Sequence, residues 1–175
     1  YVPSLGMKVK LYDEENDVPD DPSPYGIMSW LKDGSAFYIY DRYDIWQLDP
    51  LAATAPVCIT NGVGRVTNTT IRWQNLDREE NFVENGRDYL FTIFNNKNKS
   101  AGVRMWEFGK PFGGAESVAR TYATRMGSFV KAKAANVLSF STETFAQSPD
   151  LRLGASADVV ANPMNVLSLF QTNAQ

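Results

Sequence analysis

Two adjacent glutamates, Glu79-Glu80, are one set of residues in this chain whose type suits a ligand. A carboxylate pair can hold an ammonium group through charge-assisted hydrogen bonds. Arg42 and Arg72 are the complementary candidates, because a guanidinium grips a carboxylate through two parallel hydrogen bonds. Each reading has a plainer rival. Leu76-Asp77-Arg78-Glu79-Glu80-Asn81 has the composition of a charged hairpin loop, exposed as charged residues ordinarily are. Either arginine would serve equally well in a salt bridge to an acid on an adjacent strand. Asp13-Glu14-Glu15-Asn16-Asp17, with Asp20 and Asp21, could gather calcium, but the run lacks the glycine and distal glutamate of a calcium loop and reads as an exposed connection.

The absences narrow the chemistry further. The chain contains no histidine, so no imidazole can take a proton from a serine or cysteine nucleophile. One cysteine and no histidine leave only carboxylates for a metal, and no metal or cofactor is expected. No G-x-S-x-G elbow and no phosphate-binding glycine loop occurs. Catalysis by this segment alone is not expected. Cys58 stands between Val57 and Ile59 in a predicted strand and reads as a small core side chain. A net charge of −3 offers nothing to nucleic acid or to an anionic membrane. No apolar run approaches the roughly twenty residues that cross a bilayer. Asn68-Thr69-Thr70 and Asn98-Lys99-Ser100 fit the glycosylation pattern. A start at Tyr1, without an initiator methionine or a signal segment, predicts a piece of something longer.

The elements that must position these residues are short strands. Between Tyr25 and Thr60 four apolar runs, Gly26–Leu31, Ala36–Tyr40, Asp44–Leu48 and Pro56–Thr60, are separated by turn residues. Asp33-Gly34 between the first two is a strong hairpin signal, because glycine tolerates the positive φ of a tight turn. Four strands in about forty residues is the size of one β-propeller blade. The cadence returns with Thr70–Leu76, a turn at Asn85-Gly86, Tyr89–Phe94, Gly102–Glu107 and Glu116–Ala119. It returns again with Gly127–Ala132, a turn at Ala134–Asn136, Val137–Thr142, Asp150–Leu153 and Val166–Phe170. Val9–Tyr12 would be an orphan strand of a preceding unit.

The fold class expected is therefore all-β: one partial β-propeller domain over 1–175 with about three four-stranded antiparallel blades, near 25–60, 70–119 and 127–170, plus the orphan strand near 9–12. Almost no helix is expected, with the best chance of a helical turn at Glu116–Ala123. The 175 residues, 43% of them hydrophobic and 13% aromatic, can bury a sizeable core of that kind. Trp30, Phe37, Tyr38, Tyr40, Tyr43 and Trp46 are expected partly between blades, with Trp73 and Trp106 repeating the role. A carbohydrate-stacking surface is the functional alternative for these rings.

Trp30-Leu31-Lys32-Asp33-Gly34 followed by Tyr40-Asp41-Arg42-Tyr43-Asp44-Ile45-Trp46-Gln47-Leu48-Asp49-Pro50 resembles a propeller blade of prolyl oligopeptidase family serine peptidases of the Bacteroidetes type. Ile59-Thr60-Asn61-Gly62-Val63-Gly64-Arg65, Leu76-Asp77-Arg78-Glu79-Glu80 and Phe94-Asn95-Asn96-Lys97-Asn98-Lys99 follow in the family's order. Phe145 with Ser148-Pro149-Asp150-Leu151 is similar to the last blade. Thr172-Asn173-Ala174-Gln175 resembles the lead into the hydrolase domain, although Asn-Pro-Gln is commoner there.

The resemblance implies a division of labour. A C-terminal α/β-hydrolase domain carries the catalytic triad, and the propeller gates access for short peptides and packs on that domain. No position here matches a triad residue. Glu79-Glu80 is similar to the glutamate pair by which dipeptidyl-peptidase relatives hold a substrate amine, in a different sequence context. A periplasmic or secreted location is implied as well. The alternative is a stand-alone TolB-like propeller module that binds a protein partner and hydrolyses nothing. In either case an arc of blades exposes its terminal faces, and self-association is expected.

Overall fold

The computed structural model describes residues 4, 6–77 and 79–170. Tyr1, Arg78 and the Thr172-Asn173-Ala174-Gln175 segment lie outside the described residues.

The chain is mostly β and forms three sheets in chain order. The first contains β1 (Ile27–Leu31), β2 (Phe37–Tyr40), β3 (Ile45–Leu48) and β4 (Val57–Cys58), paired antiparallel in succession. The Asp33-Gly34 hairpin forms as expected: Gly34 takes a φ of +74°, and the Asp33 carboxylate accepts from the Ser35 N–H at 2.9 Å. After β4 a short helix, α1 (Val63–Thr67), leads into β5 (Thr69–Gln74). The second sheet is the antiparallel set β5, β7 (Asp88–Asn95) and β8 (Ala101–Glu107). The third joins β9 (Arg125–Lys131), β10 (Val137–Thr144), β11 (Gln147–Ala155) and β12 (Leu167–Phe170), again antiparallel, with α2 (Ser156–Ala161) between its last two strands.

Three expectations need correction. The strand expected before the Asn85-Gly86 turn, Thr70–Leu76, forms as β5 and pairs antiparallel with β7, but a further short strand, β6 (Phe82–Val83), stands between them and pairs parallel with β1. The first sheet thus has five strands rather than four. Glu116–Ala119 is not a fourth strand of the second sheet, which has three; residues Ala115–Val118 make a 3-10 turn. Its side chains prefer local bonds: Glu116 Oε1 accepts from the Gly114 N–H at 2.7 Å, and Ser117 Oγ donates to the Phe112 carbonyl at 2.8 Å. Val9–Tyr12 reduces to one bridge between Tyr12 and Pro24. Pro19, Pro22 and Pro24 carry no N–H, so a continuous ladder is interrupted, and among the described residues only the Tyr25 N–H to Leu11 and Asp13 N–H to Ser23 bonds flank the bridge. Among the described residues the longest helix is α2, with six residues, and no helix is long and apolar enough to cross a membrane.

The middle sheet is apolar on both faces. Along β7, Tyr89, Phe91 and Ile93 join a core shared with Met28, Tyr38, Tyr40 and Ile45 of the first sheet. The alternate residue Leu90 joins Val103, Leu138, Phe140 and the α2 residue Val159 in a second core against the third sheet. Strand periodicity of two sends alternate side chains to opposite layers, so one strand serves both cores. Trp106 is buried in the first core, with rings of Phe91, Phe108 and Phe112 about 5 Å away. Trp30 instead lies on the outer face of the first sheet, tilted over Phe37 at 5.2 Å and 45% exposed. Backbones also approach closely: a Cβ on Gly102 would stand 2.3 Å from the Arg120 carbonyl, which only glycine permits.

Candidate functional site

The loop after β5 shapes the region that carries the paired glutamates. Asn75 Oδ1 accepts from the Asp77 N–H at 3.0 Å, and Asp77 Oδ1 accepts from the Glu79 N–H at 3.0 Å. The Asn75 amide closes the loop by donating to the Glu80 carbonyl at 3.0 Å. These successive side-chain turns hold Glu79 and Glu80 at the mouth of a cleft of about 360 Å³ between the second and third sheets. Trp73, Leu76, Tyr89, Met105 and Leu138 form apolar walls, and Arg87, Lys131 and Lys133 add positive charge to the rim. That volume and mixed lining suit a short peptide or another small amphipathic ligand.

The two carboxylates face different cations. Glu80 Oε1 lies 2.9 Å from Arg87 Nη1, and Arg87 also reaches Glu84 at 3.2 Å. Lys32 Nζ donates to the other Glu84 oxygen at 2.6 Å, which ties this loop to the first sheet. Glu79 Oε1 stands 3.6 Å from Lys133 Nζ, with both side chains largely exposed. An ammonium ligand would have to displace Arg87 and Lys133 to take both oxygen sets. The pair of glutamates is therefore charge-compensated in this chain.

Arg42 and Arg72 do not line that cleft. Arg42 Nη1 pairs with Glu15 of the acidic run at 2.6 Å, and its guanidinium lies 5.2 Å from the Tyr43 ring. Arg72 is half-buried over the Tyr40 ring at 4.4 Å and donates to the carbonyls of Ile71, Asp41 and Arg42. Burial holds its guanidinium below the ordinary value. Three backbone acceptors make Arg72 a clamp between β5 and the turn after β2. No group of three or more Asp, Glu, Cys or His among the described residues is arranged to hold a metal ion.

That turn is the polar centre which the sequence alone does not single out. Asp41 is fully buried and accepts from the N–H groups of Tyr43 and Asp44 at 2.7 and 2.6 Å. Its second oxygen accepts from Trp46 Nε1 at 3.1 Å and from Arg65 at 3.2 Å. Asp44 reaches across twenty residues to α1, where it accepts from the N–H groups of Gly64 and Arg65 at 2.9 Å each. The Thr60 hydroxyl donates to the same carboxylate at 2.7 Å. Burial raises the Asp44 carboxyl above its ordinary 3.8, and neighbouring Asp41 adds to the rise. Two aspartates three residues apart around Arg42-Tyr43 are the signal that could have marked this turn.

Cys58 lies beside this centre. Its half-buried sulfur accepts from the Gly62 N–H at 3.2 Å and lies 3.5 Å from the Thr60 hydroxyl. Burial pushes the thiol pKa up, with the Asp44 charge acting in the same sense. Less thiolate forms at mildly alkaline pH, so iodoacetamide should modify Cys58 more slowly than free cysteine below about pH 9 and accelerate only above it. Mass spectrometry of the alkylated protein reads this. Labelling at the free-cysteine rate would show that the site is open and the pKa ordinary.

A second cleft, of about 490 Å³, opens at the edge of the second sheet between β8, residues 111–120 and Val160 of α2. Arg104 and Arg120 both line it. Arg104 lies two residues before Trp106, so the alternation of β8 sends it to the same apolar face. A charge at that position was visible in the sequence as a break in the pattern.

Comparison with protein-family models, curated proteins and solved structures returns no match for this chain.

Proposed function

We propose that this chain is a run of successive β-propeller blades that serves as the non-catalytic, substrate-gating part of a prolyl oligopeptidase-like serine peptidase. The supporting observation is the middle sheet, apolar on both faces and packed between two further antiparallel sheets in chain order. Face-to-face succession of that kind is what propeller blades require. The order of motifs from Trp30 to Leu151 that resembles this peptidase family supports the assignment to it. On this reading the catalytic serine, aspartate and histidine belong to an α/β-hydrolase domain of a longer parent chain, which is periplasmic or secreted. The cleft at Glu79 and Glu80 then lies among surfaces that short peptides meet.

The lack of any histidine makes the test direct. Purified alone, the chain should leave prolyl and alanyl dipeptide chromogenic substrates uncut, because no imidazole accepts the nucleophile's proton. Turnover by a verified pure sample, blocked by a serine-directed inhibitor, would overturn the assignment. The parent protein should show that inhibitor-sensitive activity.

The separate neutralisation of Glu79 by Lys133 and of Glu80 by Arg87 favours, as a second reading, a TolB-like binding module that hydrolyses nothing. The gene downstream of Gln175 distinguishes the two. A G-x-S-x-G with a later aspartate and histidine supports the peptidase, and a stop codon supports the module.

A further inference from the structure

We propose that the cleft between β8, residues 111–120 and α2 is a carboxylate-binding site anchored by Arg104. Its occupant would be a small ligand that ends in a free carboxylate, such as the C-terminus of a short peptide.

Among the described residues Arg104 is the guanidinium with its hydrogen-bonding edge uncommitted. It has no oxygen acceptor among the described residues, whereas Arg42, Arg65, Arg72, Arg87, Arg120, Arg125 and Arg152 each have at least one. Half-buried, it pays a desolvation penalty that holds its pKa below the ordinary value. The guanidinium carbon lies over the fully buried Phe112 ring, 4.4 Å from its centre. Phe112 in turn is fixed edge-on against Trp106 at 4.9 Å. A cation–π contact makes no claim on the N–H donors, so those of Arg104, a residue that lines the cleft, stay available to receive a carboxylate through two parallel bonds.

The other charges at the cleft set the sign. Arg120 lines it with one arm anchored to the Ala161 carbonyl at 2.8 Å, which leaves its remaining donors available. Glu116 is the opposing carboxylate. It is turned onto its own loop, with Oε1 accepting from the Gly114 N–H at 2.7 Å. Two cations against one committed anion leave the cleft positive, and Ile93, Val103 and Val160 supply apolar walls.

Titration of the isotopically labelled chain with N-acetyl-dialanine tests the site, with the same peptide as its C-terminal amide for control. The acid should shift the Arg104 side-chain N–H signal saturably, with millimolar affinity, and the amide should bind about tenfold or more weakly. Arg104→Met keeps the packing on Phe112 and should abolish the saturable shift of neighbouring signals. Arg104→Lys should weaken binding severalfold, because an ammonium cannot make the bidentate pair. Glu116→Gln keeps the acceptor for Gly114 while removing the competing charge and should tighten binding. Equal response to acid and amide, or unchanged binding in Arg104→Met, would overturn the proposal. The comparison of acid with amide needs no variant, so it decides the matter even if a substitution impairs folding.

Discussion

Replacing Asp44 with alanine should destabilise the fold by about 3–5 kcal/mol, a large part of the roughly 5–15 kcal/mol that holds a typical domain together. The substitution strands the Thr60 hydroxyl and the N–H groups of Gly64 and Arg65 at once. A buried donor left without an acceptor costs roughly 1–3 kcal/mol. Water can reach little of this region, because Asp44 and Thr60 are 1% and 0% exposed. Asp44→Asn retains one acceptor oxygen and should cost roughly 1–3 kcal/mol.

The pH dependence of that smaller loss has a definite sign. The folded state raises the Asp44 carboxyl above its ordinary 3.8, so ionisation opposes folding. The contribution of the carboxyl is complete below the ordinary value and is lost as pH rises through the raised one. Urea denaturation of wild type and Asp44→Asn should therefore show a wider gap at about pH 4.5 than at about pH 7. A gap that widens toward neutrality would mean that the ionised form is the one the fold stabilises.

Asp44 also marks where the sequence stops being legible. The Asp33-Gly34 hairpin could be read directly, since its turn bonds and its Trp30–Phe37 register are set by neighbouring residues. The apolar run Tyr89–Phe94 was equally local and forms within β7, and its cover on both faces is set by the two flanking sheets. Helix α1 was not legible: its five residues include Gly64 and the β-branched Val63, Val66 and Thr67. It forms because a carboxylate twenty positions earlier receives its first N–H groups. Strand β6 was not legible for a related reason. Its two residues are too few to carry a periodicity, and they become a strand only because distant packing lays them beside β1.

The candidate site divides the same way. Glu79 and Glu80 sit on a charged loop, but their cations come from Arg87 in the turn before β7 and Lys133 in the turn between β9 and β10. Arg72 offered no signal of its true role, because its acceptors are backbone carbonyls, which every residue possesses.

The largest effect in solution should be self-association through the two terminal sheet faces. The middle sheet is covered twice, but among the described residues the first and third sheets each have one face without a neighbouring sheet. In the third, the register aligns Val130, Ser139, Leu153 and Leu167 on the side opposite Leu138 and Phe140. Val130 is 58% exposed and Leu167 is 62% exposed, with Leu151 nearby on the same face. In the first, Ile27 and Trp30 are 65% and 45% exposed beside half-buried Phe37 and Trp46. Apolar faces of this kind exceed the isolated exposed side chains that monomers tolerate, and a second copy can cover them symmetrically. Light scattering across a concentration series should show the average mass rising at least twofold. Lysine at both Val130 and Leu167 should return the protein toward monomer, since two buried like charges in the contact oppose it. A wild-type chain that stays monomeric at high concentration would mean that these faces need no neighbour, and the succession of sheets would then not be an arc of propeller blades.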